Sequence, residues 1–118
     1  MIKTAIIALA LFGWAGVASA RDLGGNYSAN GTNFDGSPYN GTASISITSD
    51  TTCAITWVTG GTSSNGFCMR NHDAFAAGYV MGDSIGLVIY KIMPDGSLNG
   101  IWTIAGKNGA GTEVLTPQ

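Results

Sequence analysis

Few side chains in this sequence could do chemistry, and their spacing argues against catalysis. The one histidine, His72, sits in Arg70-Asn71-His72-Asp73, where a short polar connection between strands is expected. Neighbours in an extended chain project to opposite sides, so His72 and Asp73 make no ready acid–base dyad, and His72 reads as a solvated turn residue. No serine has a nucleophile-elbow setting, no glycine cluster joins a strand to a helix as a phosphate loop does, and the acids are read as scattered over turns. Two cysteines and one histidine without close spacing do not suit zinc. The expectation is a protein that is not an enzyme and holds neither metal nor cofactor.

The two cysteines point to structure instead. Met1-Ile2-Lys3 followed by the uncharged apolar run Thr4 to Val17 and the small residues Ala18-Ser19-Ala20 reads as a signal peptide, residues 1–20, cut at Ala20/Arg21. That implies a secreted or periplasmic protein with no membrane span after signal removal, and an oxidising compartment in which Cys53 and Cys68 form a disulfide. Register supports the pairing. Gly60-Gly61 accepts positive φ at both central positions of a type I′ hairpin turn, so Thr59 faces Thr62, and stepping outward along both strands brings Cys53 opposite Cys68. Paired Cα atoms lie about 4.5 to 5.5 Å apart, within disulfide reach.

The elements that would position these residues are short strands. Ala43, Ile45 and Ile47 alternate with Ser44, Ser46 and Thr48, and Cys53, Ile55 and Trp57 with Ala54, Thr56 and Val58, the period of a half-buried sheet. Further runs lie at Gly25 to Gly31, Asn65 to Arg70, Asp73 to Val80, Ser84 to Ile92, Ser97 to Ile104 and Thr112 to Thr116. Five of the eight asparagines precede glycine, at Asn30, Asn40, Asn65, Asn99 and Asn108, and these steps are read as turns or bulges where strands bend. Asp35-Gly36-Ser37 recurs as Asp95-Gly96-Ser97, which reads as a repeated turn and not as a calcium loop, because the remaining acidic ligands are missing.

Eight strands with short connections predict an all-β, antiparallel up-and-down meander over residues 21–118, closed as a small avidin- or lipocalin-like barrel with one disulfide. Such a barrel is either filled by side chains or wide enough for one small ligand. Tyr27, Trp57, Phe75, Tyr79, Tyr90 and Trp102 could fill it; alternatively Trp57, Tyr79 and Trp102 form a ligand cage. The mature chain keeps Arg21, Arg70, Lys91 and Lys107 against seven carboxylates, a net charge of −3, too weakly charged to favour nucleic acid.

The segments Gly31-Thr32-Asn33-Phe34-Asp35-Gly36-Ser37, Thr52-Cys53, Phe67-Cys68-Met69-Arg70 and Gly100-Ile101-Trp102-Thr103-Ile104-Ala105-Gly106 resemble small secreted proteins of alphaproteobacteria that commonly carry the label fibronectin-binding protein. This resemblance spans nearly the whole mature chain and implies a secreted, non-catalytic module that binds an extracellular matrix protein such as fibronectin. A looser, architectural resemblance is to the avidin and streptavidin barrel, with Tyr27 standing where that family usually has tryptophan. Two other readings remain open: a carrier of a small hydrophobic ligand in the barrel interior, and a structural envelope protein without a ligand.

Overall fold

The computed structural model describes residues 23–118; the segment read as a signal peptide and its cleavage point lie outside these residues. Eight strands follow in chain order: β1 (Gly25–Thr32), β2 (Pro38–Ile47), β3 (Thr52–Thr59), β4 (Thr62–Asn71), β5 (Ala74–Met81), β6 (Ser84–Ile92), β7 (Leu98–Ile104) and β8 (Gly111–Pro117). Each pairs antiparallel with the next, and β1 pairs with β8 to close the barrel. The predicted meander is present. Closure leaves no strand edge unpaired.

The turns explain the register. Gly60 and Gly61 have φ of 56° and 80°, as a type I′ turn requires, and Thr59 pairs with Thr62. Cys53 therefore pairs with Cys68, with Cα atoms 5.0 Å apart, and the two are disulfide-bonded. The two Asp-Gly-Ser turns are built alike. Asp35 Oδ1 accepts bonds from the Ser37 amide (2.9 Å) and hydroxyl (2.6 Å), and Asp95 Oδ1 accepts the same pair from Ser97 at the same distances. These bonds lower both carboxyl pKa values. His72 is exposed in the β4–β5 turn and adopts φ 56°, a conformation uncommon for non-glycine residues.

The Asn-Gly reading needs correction. Four of the five steps, at Asn30, Asn40, Asn65 and Asn99, lie inside strands, and the ladders run through them without a bulge. Only Asn108-Gly109 lies in a loop. The physical reason is the two-residue period of a strand: the four asparagines project outward to water, while the glycines face the lumen. Several inward glycines are covered by a directly paired aromatic ring: Gly31 by Tyr39, Gly86 by Tyr79, Gly100 by Tyr90 and Gly111 by Trp102. A Cβ on any of them would fall on its partner ring. Glycine here makes room inside the barrel for large side chains and not for a turn.

The lumen is filled unevenly. At the end bearing Leu23, Gln118 and the β2–β3, β4–β5 and β6–β7 turns, Phe75, Leu98, Leu115, Ile55 and the disulfide are almost wholly buried, and Phe75 packs on Tyr90 at 5.6 Å between ring centres. Tyr27 donates to the Leu23 carbonyl there. Because the bond closes a loop across a sequence separation of 15, replacing both cysteines by alanine should lower stability by about 3 kcal/mol. Chemical denaturation of the two forms checks this; equal midpoints would show that the bond adds nothing to the hairpin.

The outer surface is two-sided. Phe67 and Met69 on β4, Ile85, Leu87 and Ile89 on β6 and Ile101 on β7 are each more than half exposed. The outward positions of β1 and β2 carry Asn26, Asn30, Thr42, Ser44 and Ser46 instead.

Candidate functional site

At the opposite end, where the β1–β2, β3–β4, β5–β6 and β7–β8 connections gather, the lumen opens into a cavity of about 240 Å³, roughly the liquid volume of eight waters. All three residues read as a cage, Trp57, Tyr79 and Trp102, line it, together with Tyr39, Tyr90 and Glu113. The lumen is thus neither filled throughout nor hollow throughout: packed at the end bearing Leu23 and Gln118, open at the other.

Strand geometry puts the rings there. Trp57, Tyr79 and Trp102 sit near the open ends of β3, β5 and β7, at inward positions of the two-residue period. Trp57 and Tyr79 pack at 5.1 Å between ring centres with planes at 59°, a tilted arrangement of the kind aromatic pairs favour. Trp102 is flanked by Phe34 at 5.0 Å and Tyr39 at 6.2 Å, and its Nε1 donates to the Thr112 carbonyl at 3.2 Å. Tyr79 donates its hydroxyl to the Thr103 carbonyl at 3.2 Å. These bonds fix the ring orientations.

The centre of the site is a residue the sequence reading passed over. Glu113 lies on β8 between inward-facing Gly111 and Leu115, with 5% of its surface exposed. Its Oε1 accepts from Tyr90 Oη at 2.5 Å and Trp57 Nε1 at 3.0 Å, and its Oε2 accepts from Tyr39 Oη at 2.8 Å. Three elements far apart in sequence therefore converge on one carboxylate. The acids are not all on turns, as the sequence suggested. The available signal was the period of two within the predicted strand Thr112 to Thr116, which puts Glu113 on the same face as Leu115.

The carboxylate shapes its neighbours electrostatically. Burial, then the nearby charge of Glu113, pushes the Tyr79 phenol up to about 12 and also raises Tyr39 and Tyr90. The folded state keeps these phenols protonated where an unfolded chain loses its protons near pH 10. Their contribution to stability is thus complete below about pH 10 and is lost as pH rises through the raised values. The thermal midpoint should stay level up to about pH 10 and then fall, with tyrosinate absorbance appearing late. A midpoint level to about pH 12 would contradict this.

Among the described residues no group of three or more metal-ligating side chains occurs, and no helix is long and apolar enough to cross a membrane.

No protein-family model and no curated protein sequence matches the chain. Solved structures do. A redesigned β-barrel superposes with a TM-score of 0.71 at 19% identity, covering 85% of this chain and 96% of that one. A de novo designed fluorescence-activating β-barrel gives 0.67 at 15% identity over 85% and 97% of the two chains. A redesigned β-barrel bound to DFHBI gives 0.69 at 18% identity over 83% and 98%. At such identities the likeness concerns architecture: the chain folds as a small closed antiparallel β-barrel.

Proposed function

We propose that this chain is a secreted, non-catalytic binding protein that takes a small, largely apolar ligand into the open end of its barrel. The observation that carries this reading is the cavity of about 240 Å³ walled by Trp57, Tyr79, Tyr90 and Trp102, with a few polar groups converging at Glu113. Small-molecule sites have this composition, apolar walls with a few placed polar atoms. Support from likeness comes from barrels of the same architecture that are bound to DFHBI. Tyr39 and Tyr90 are hydrogen-bonded to Glu113, and Tyr79 to the Thr103 carbonyl, which suits holding a ligand more than turning one over. Secretion is supported by the signal-like segment 1–20 and by the disulfide.

A panel of single-ring aromatic compounds, followed by tryptophan fluorescence and by isothermal titration, tests the reading. Saturable binding is expected for some members and should weaken at least tenfold in Ser64→Leu, which puts extra carbons into the cavity at a buried lining position. Failure of every member to bind at millimolar concentration would overturn it.

A second reading is favoured by a different observation. The exposed apolar side chains of β4, β6 and β7 form the sort of surface used to dock another protein, in keeping with the matrix-protein binding that the family resemblance implies. Purified protein over immobilised fibronectin checks this, and absence of saturable binding at micromolar concentration would remove that partner.

A further inference from the structure

We infer that the ligand of this cavity is a small organic cation, an amine carried on a flat apolar body, held with its nitrogen at Glu113 and its body between the aromatic walls; the inference rests on the cavity being a ligand site. Burying a carboxylate is costly unless it is fully compensated. Glu113 is 5% exposed, its three hydrogen-bond partners are neutral donors, and the cavity lining contains no lysine, arginine or histidine. The negative charge at the site therefore has no cation facing it from within the cavity.

Hydrogen-bond capacity leaves a place for one. A carboxylate has about four acceptor sites. Trp57 and Tyr90 take two at Oε1 and Tyr39 takes one at Oε2, which leaves one on Oε2 for an N–H donor. A charged donor makes the stronger bond there. The remaining lining suits the same ligand. Ring faces of tryptophan and tyrosine attract cations, and Trp57, Tyr79, Tyr39 and Trp102 line the same cavity as the carboxylate. An anionic ligand would meet like charge at Glu113, and a neutral one would leave that charge uncompensated.

The rim carries the same sign. Among the described residues, Asp35 in the β1–β2 turn and Asp83 in the β5–β6 turn stand at this end against one base, Lys107 in the β7–β8 connection, and all three are exposed. Together with Glu113 the open end is net negative, which favours the approach of cations.

The experiment compares three probes of nearly equal shape by isothermal titration on the disulfide-bonded protein: 2-phenylethylamine, 2-phenylethanol and 3-phenylpropionate. The amine should bind at least tenfold tighter than the alcohol, and the acid should be weakest. Raising the salt concentration should weaken the amine alone. In Glu113→Gln the amine's advantage over the alcohol should disappear while the alcohol still binds. Because the comparison is made first on the unaltered protein, it holds even if the variant is unstable. Equal binding of amine and alcohol, or a preference for the acid, would overturn the amine assignment and leave the cavity as a neutral-ligand site. No binding by any of the three would overturn both.

Discussion

Replacing Glu113 by alanine is expected to lower the stability of the barrel by about 2 kcal/mol, since the substitution strands Tyr90 Oη and leaves Trp57 Nε1 and Tyr39 Oη only their long bonds of 3.3 Å, to Tyr90 Oη and to the Thr112 carbonyl. Trp57 Nε1 and Tyr90 Oη lose their shared acceptor, and Tyr39 Oη loses the other oxygen. Each buried donor left without a partner costs about 1–3 kcal/mol. The weakened bonds of Trp57 and Tyr39 add less than a full orphan each, and Tyr39 is only half-buried. For a small domain with about 5–15 kcal/mol in total, that is a large share. Glu113→Gln keeps an acceptor but also presents an amide N–H₂ to neighbours that are themselves donors, so it should cost less than alanine and more than a surface substitution. Urea unfolding measures both. A loss below about 1 kcal/mol for alanine would mean that the network is not what holds the rings.

The second large effect is expected at a glycine. In Gly31→Ala the added methyl would lie 2.5 Å from Tyr39 Oη and closer still to the Thr112 carbonyl. The Thr112 carbonyl is backbone, so β1 and β8 must part locally, and Tyr39 must move as well, although its hydroxyl makes one of the bonds to Glu113. Overpacking of this kind costs about 1–3 kcal/mol. The same substitution at Gly36, in the β1–β2 turn, meets no atom within 4 Å but sits at φ 86°, so its cost is conformational and leaves the site intact. Gly31→Ala should therefore impair ligand binding together with stability, and Gly36→Ala stability alone. Equal binding by both variants would separate the glycine–tyrosine pair from the site.

Much of the architecture was legible because it is written in local rules. The period-two runs located all eight strands to within a few residues except at β2, which begins at Pro38 instead of Ala43. There the inward positions are Tyr39 and Gly41, so the apolar alternation starts late. Gly60-Gly61 fixed one register and with it the disulfide. The Asn-Gly steps misled because the same dipeptide serves two purposes. In a turn it supplies left-handed backbone; in this barrel asparagine wets the outside and glycine makes space for a ring across the strand. That second use depends on the residue opposite, which the dipeptide does not reveal. Trp57, Tyr79 and Trp102 could be named from size and spacing. For Glu113 the alternation gives only an inward position; its role arises from β2, β3 and β6 meeting β8 across the closed barrel, and no motif in a single stretch records that convergence.

The most direct test of ligand capture in the open end is nuclear magnetic resonance on labelled protein during titration with 2-phenylethylamine. Saturable shifts are expected at the indole signals of Trp57 and Trp102 and at the side chains of Tyr39, Tyr79 and Glu113. The outward methyls of Leu87, Ile89 and Ile101 should stay in place. Shifts confined to those outward methyls, with the indole signals of the cavity unmoved, would contradict binding in the barrel and place any contact on its outer face.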